Sequence, residues 1–488
     1  MAETDLVTEA VGEPAPVTRR WAALTVLALA QFVLVLDSTV VNVALPSIQA
    51  QYHLPASHLA WIVNGYALAF GGALLLGGSL GDLYGRRKLF LIGIALFSGA
   101  SLLAGLAWDA NVIIAMRFVQ GIGAAFVSPA ALSSISRIFT EQRERAKALG
   151  VWGGMSALGG TVGAVLSGVI TEFVSWRGVF LVTVPVTLAA LLLAPRFVPE
   201  SRSPSRPRLD VVGAMLVTSA IGLAVFALLD KGENPWTSST FLLRMGIAVV
   251  LLVAFIAWES RQDEPMVPLD IFKNRNRAVG VTAAVIFGSV FSTYFFSTTL
   301  YMQDVLGYSP LQTGFAYLPF GLLILVCFPL VSFVVGRIGF RFVMTFGLLA
   351  GMVGLLVLSM IVPDGTYLRD VLPGMVLLAI GATCGFVTFT IAGVDGTTEE
   401  NAGIASGILN AGSQIGSALG LATLVAIAVS VQLDKLSTGV PPGQAAVDGF
   451  VTAYRVGAAI LLFGAVLTAV LLRNSTGLPE EVPGDLPV

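Results

Sequence analysis

Apolar runs of about twenty residues follow one another from Trp21 to Arg473, separated by short polar stretches. A helix needs roughly 20 mostly apolar residues to cross the hydrocarbon core of a bilayer. The runs are too long and too little alternating for barrel strands, and lipid offers a backbone no hydrogen-bond partners, so each run predicts a membrane-spanning α-helix. Six spans are expected at about 21–46, 59–80, 88–107, 111–136, 146–170 and 177–195. Two more follow at about 209–229 and 241–259, then six at about 278–303, 312–335, 341–362, 369–391, 403–431 and 453–473.

The expected architecture is therefore an all-α membrane protein of fourteen transmembrane helices in a six, two, six order. Its predicted parts are an N-terminal tail over 1–20, a six-helix bundle over 21–198, two inserted helices with linkers over 199–277, a second six-helix bundle over 278–473 and a C-terminal tail over 474–488. Most of the 27 lysines and arginines fall in alternate loops, among them Arg86, Arg87, Lys88, Arg143, Arg145 and Arg341. By the positive-inside rule those loops and both termini face the cytoplasm of a cell membrane. Gly81-Asp82-Leu83-Tyr84-Gly85-Arg86-Arg87, between spans two and three, has a degraded echo in Val335-Gly336-Arg337-Ile338-Gly339-Phe340-Arg341, in the matching loop of the later half. Matched loops in two six-helix halves predict a parallel repeat with a central cavity about which the halves rock.

Composition narrows the function. Of 488 residues, 56% are hydrophobic and 11% charged, well below the quarter or so usual in soluble domains. The N-terminal stretch is acidic and lacks a signal peptide's basic start, so the first span is expected to stay in the mature protein. Cys327 and Cys384 lie in apolar runs without metal-ligand spacing. No nucleophile–base set, metal cluster or phosphate loop stands out, and no loop is long enough for a catalytic domain, so the chain does not read as an enzyme. No cofactor, metal, nucleic acid or obligate protein partner is expected; the expected partners are a small molecule, protons and the bilayer.

An ionisable side chain in mid-span is costly to insert and points to function. Asp37 opens Asp37-Ser38-Thr39-Val40-Val41-Asn42 in the first span, and Arg117 opens Arg117-Phe118-Val119-Gln120-Gly121-Ile122-Gly123 in the fourth. Brought together in a dry interior, the two could bind and release a proton, or form a permanent structural ion pair. Asp82, Gly85, Arg86 and Arg87 are candidates for a conformational latch, in which charge pairing at helix ends favours one state; Glu399 and Glu400 are possible far ends of such contacts. The glycines of the fifth span read as close packing. Candidates for a substrate cavity are Asn42, Trp61, Tyr66, Phe291, Tyr294, Asp304, Asn410 and Gln414, with lipid-facing packing as the plainer account of the aromatics.

At these motifs the sequence resembles the major facilitator superfamily, and more narrowly its fourteen-span drug:proton antiporter branch. The likeness runs through Asp37 to Pro46, Gly78 to Lys88, Arg117 to Gly123, Trp61 to Tyr66 and Ala405 to Gly420. It implies two six-helix bundles plus two inserted helices, and alternating access that exports hydrophobic, often cationic drugs against protons. It also implies proton coupling at Asp37 and Arg117 and switching at Asp82, with substrate and proton competing for Asp37. A dedicated exporter of one endogenous secondary metabolite is the alternative. Where the branch carries Gly-Pro and then Gly-Gly in the fifth span, this chain has Gly163-Ala164 and Ser167-Gly168; Leu83 and Ser413 stand where basic residues are usual.

Overall fold

The computed structural model describes residues 17–202, 209–230, 236–397 and 399–473; the tails expected at 1–20 and 474–488 lie mostly or wholly outside them. Among the described residues every regular element is helical, and fourteen helices are long and apolar enough to span a bilayer. In the first half these are α1 (Thr18–Tyr52), α2 (Ala56–Tyr84), α3 (Arg86–Gly105), α4 (Ala110–Ile138), α5 (Gln142–Phe173) and α6 (Gly178–Phe197). A hairpin of α7 (Val211–Leu229) and α8 (Ser239–Glu259) follows. The second half comprises α9 (Arg275–Val305), α10 (Pro310–Ile338), α11 (Phe340–Leu358), α12 (Tyr367–Gly393), α13 (Gly403–Ser437) and α14 (Pro442–Leu471).

Several helices outrun the expected spans. The first was expected to close near Pro46, yet α1 continues to Tyr52. A proline removes one backbone hydrogen bond, which neighbouring helices can offset in a tightly packed bundle. Polar side chains start the helices: the Asp109 carboxylate accepts from Asn111 N at 2.7 Å, and Ser309 and Gln312 form a capping box. Gly85 (φ 109°) and Gly339 (φ 84°) end α2 and α10 and begin α3 and α11 in the left-handed region that favours glycine.

Those two glycines occupy the same step of a repeated plan. In the first half α1 packs on α5 and α3 on α4; in the second, α9 packs on α13 and α11 on α12. Both third–fourth pairs meet through facing glycines. A Cβ on Gly93 would lie 2.7 Å from Gly123 O, and one on Gly374 would lie 2.7 Å from Gly354 O.

The halves meet along two seams, α2 against α13 and α5 against α10, which the repeat makes equivalent. Call the end holding Arg19 and Leu471 the terminal end and the other the far end. The far end is shut: Gln303 Nε2 donates to Val43 O at 2.9 Å, and a Cβ on Gly168 would lie 2.6 Å from Pro310 O. Toward the terminal end the seams part, since a Cβ on Gly78, Gly150, Gly153, Gly154 or Gly403 would meet nothing within 4 Å. Among the described residues, α7 lies against both α2 and α13 and so covers their seam, with α8 packed on α7.

Candidate functional site

Asp37 and Arg117 come together in the interior of the first half, 0% and 1% exposed. Arg117 donates from one terminal nitrogen to Asp37 Oδ2 at 2.5 Å and to Gln120 Oε1 at 3.0 Å, and from Nε to Ile62 O at 2.8 Å. Gln120 Nε2 donates to Asp37 Oδ1 at 3.0 Å and to Ser101 Oγ at 2.8 Å. Both carboxylate oxygens are thus satisfied, as a buried charge requires. The guanidinium carbon also lies 4.5 Å from the centroid of the Tyr66 ring, a cation–π contact. Small residues bring α2 and α4 close here: a Cβ on Gly65 would lie 3.2 Å from Phe118 Cε2, and one on Gly121 would lie 2.5 Å from Tyr66 O. Such a site can hold one proton or exchange it, but only if a rearrangement opens it to water.

A separate cavity of about 220 Å³ lies between the halves. Thr39 and Asn42 of α1 and Thr161 of α5 give it polar edges. Phe287, Phe291 and Phe295 of α9 and Tyr317 and Phe320 of α10 give it an aromatic wall. Phe287 and Phe291 stack at 4.3 Å, and Phe295 stands 5.2 Å from both Tyr317 and Phe320. No carboxylate or amine is among the lining residues, so the cavity offers a molecule its shape, aromatic faces and a few hydrogen-bonding groups.

Asn42 and Phe291 line this cavity; the other six candidates lie elsewhere. Trp61 packs between Phe118 and Phe226, on the side of α2 turned to α4 and α7. Tyr66 serves the ion pair. Tyr294 is fully buried behind the wall, 5.6 Å from the Phe320 ring. Asp304 and Asn410 are exposed, and Gln414 sits at the α2–α13 seam, its Cβ 3.0 Å from the place of a Cβ on Gly71. The reasons differ: α2 and α13, which carry Trp61, Tyr66, Asn410 and Gln414, contribute no residue to this cavity, Asp304 is turned about 180° from Phe295 around α9, and Tyr294 shares the phase of Phe287 but packs against Tyr317 and Phe320. Phase also separates Asp37 from the cavity. At about 100° per residue, Thr39, Asn42 and Val43 are turned roughly 120 to 160° from Asp37 around α1, and Asp37 is not among the residues that line the cavity.

The loop after α2 forms a third cluster, at the terminal end. Arg86 donates to Asp82 Oδ1 from two nitrogens, at 2.7 and 3.1 Å. Glu200, not singled out in the sequence, accepts from the backbone N–H groups of Arg87 and Lys88 at 3.1 and 3.2 Å and pairs with the Arg87 side chain at 3.7 Å. It fills the space beside Gly85, where any Cβ would strike it. Gln120, Ser101 and Glu200 are the partners that sequence reasoning missed; only Gln120 left a signal, three residues after Arg117 on the same helix face. The side chains of Glu399 and Glu400 lie outside the described residues.

Comparison with known proteins agrees with this geometry. A family model described as the Major Facilitator Superfamily matches residues 27–421. The puromycin resistance protein pur8 of Streptomyces alboniger is 36% identical over 479 residues, 96% of this chain and 94% of its own. The cephamycin export protein CmcT of Amycolatopsis lactamdurans is 35% identical over 468 residues, 94% of each. Among solved structures, the POT family transporter PepTSo superposes with a TM-score of 0.69 at 13% identity, covering 92% of this chain and 98% of that one. A bacterial homolog of the human lysosomal transporter Spinster gives 0.65 at 15% identity, covering 93% and 97%. At such identities these structures speak for the fold alone.

Proposed function

The chain belongs to the major facilitator superfamily, as a multi-pass membrane transporter and not an enzyme, and from that premise we propose that it expels hydrophobic small molecules, antibiotics among them, from the cell in exchange for protons. The observation that carries the reading is the pairing of a buried, hydrogen-bonded Asp37–Arg117–Gln120 site with an aromatic cavity on the opposite face of α1. The terminal end, which gathers Arg19, Arg20, Arg86, Arg87, Lys88 and Arg341, is the cytoplasmic end. The structure is then open toward the cytoplasm, the state that admits cargo. Asp82, Gly85, Arg86 and Arg87 act as the latch of this end.

Coupling runs through α1. Cargo meets Thr39 and Asn42, the proton meets Asp37, and a turn or shift of the one helix answers to both without their sharing an atom. This replaces direct competition at Asp37. Aromatic faces suit cationic and neutral cargo alike. Relatives named for single products, the cephamycin exporter and a probable actinorhodin transporter of Streptomyces coelicolor, favour a second reading in which one endogenous metabolite is the cargo.

The test uses proteoliposomes with an imposed pH gradient and a panel of puromycin, lincomycin and a fluorescent cationic dye, comparing the intact chain with Asp37→Asn. Uphill movement that needs both the gradient and Asp37 is expected. Movement of several probes supports broad export; movement of none supports the narrow exporter. Equal uphill transport by the Asn variant would falsify the proton role.

A further inference from the structure

Asn64 lies in α2 with no exposed surface, and neither its Nδ2 nor its Oδ1 has a hydrogen-bond partner among the described residues. Its place follows from its neighbours. It stands one turn before Leu68, which a Cβ on Gly222 of α7 would approach to 3.3 Å, and two turns before Gly71, which meets Gln414 of α13. Asn64 therefore sits where α2, α7 and α13 converge, on the far-end side of the bundle's middle. Leu68, Ile221, Val225, Ala418, Leu421 and Ala422 of those helices belong to one buried apolar cluster.

We propose that Asn64 is a positioning residue of the transport cycle: its unsatisfied amide raises the energy of the far-end-closed arrangement and gains hydrogen bonds from water when α2 and α13 part. The proposal rests on the alternating-access reading above. A primary amide in an apolar junction loses the hydrogen bonds that bulk water would give it, and no described residue returns them. The inserted hairpin sharpens the effect. There α7 lies against both α2 and α13 and closes the lipid side of the junction, so parting of α2 and α13 at the far end is the route by which water would reach Asn64. A transporter whose closed state were too stable would hold its cargo cavity on one side; a cost confined to that state keeps the two arrangements close enough for proton and cargo to shift them.

The experiment uses the full chain in lipid nanodiscs, with Cys327 and Cys384 replaced by alanine and spin labels at Ala50→Cys and Thr438→Cys, two exposed far-end sites on opposite halves. Asn64→Leu is expected to raise the ratio of short to long label distances by about tenfold, the scale set by one unsatisfied buried amide. Asn64→Ala should move it the same way by less, and both variants should unfold at higher temperature. Turnover should fall while the dependence on Asp37 persists. An unchanged distance ratio, or a shift toward long distances, overturns the proposal, as does a lower unfolding temperature for both variants. The distances need no transported compound, so they test Asn64 even if every probe in the transport assay fails.

Discussion

At the scale of the residue, the chemistry is concentrated in one buried ion pair whose value depends on its surroundings. Breaking such a pair by removing one partner costs about 3–5 kcal/mol, because the other charge is left uncompensated. Gln120 holds both members, donating to Asp37 Oδ1 and accepting from Arg117. Gln120→Leu is therefore expected to lower stability by roughly 1–3 kcal/mol and to weaken proton-driven transport while gradient-free exchange of cargo continues. Thermal unfolding and paired uptake assays, with and without a pH gradient, check the two halves of this expectation. Asp37 and Arg117 were legible in the sequence because a charge in an apolar run stands out. Gln120 was not, since an amide among glycines and alanines reads equally well as packing. Tyr66 was legible as a functional aromatic but not as the partner of Arg117, because sequence spacing does not say which of its neighbours a helix face meets.

Among elements, the turn between α2 and α3 is held by Glu200, which reaches it from beyond the end of α6. A carboxylate at a helix N-terminus satisfies free N–H groups and meets the positive end of the helix dipole. Glu200→Ala is expected to remove about 1 kcal/mol of local stability, read as faster hydrogen exchange at the amides of Arg87 and Lys88 with α4 and α5 unaffected. Equal protection in the variant would mean that the other bonds of the turn suffice to hold it, namely the Asp82–Arg86 pair, Arg86 N–H to Ser201 O and the Arg87 side chain to Pro195 O and Val198 O. Fourteen spans were legible because length and hydrophobicity state the crossing directly, and the repeat was legible in Gly85 and Gly339, whose positive φ no other residue adopts easily. Helix ends were less so: Pro46 looks like a stop in a sequence but costs α1 only one bond. Nor could the docking of α7 be read, because residues that face a seam and residues that face lipid are equally apolar.

On the scale of the whole molecule, the cycle requires that two equivalent seams open and close by turns, and the closed far end is built on contacts that leave no spare volume. Gly314 of α10 is the clearest case. A Cβ there would lie 2.6 Å from Ala164 O and 3.2 Å from Val165 Cα, both backbone atoms of α5 that cannot swing aside. Crowding of this kind costs about 1–3 kcal/mol in a well-packed interface. That cost falls on the far-end-closed arrangement alone, since separating α5 from α10 removes the contact. Gly314→Val is therefore expected to move the population toward the far-end-open arrangement by roughly five- to a hundred-fold, opposite in sign to Asn64→Leu and measured with the same pair of spin labels. Combined in one chain, the two substitutions should approximately cancel, because they act on different seams of the same two-state equilibrium and share no partner. If Gly314→Val lowers the unfolding temperature but leaves the label distances where they were, α5 and α10 do not separate at this level, and the rocking of two rigid halves would have to give way to a bend within α5, where its glycines lie.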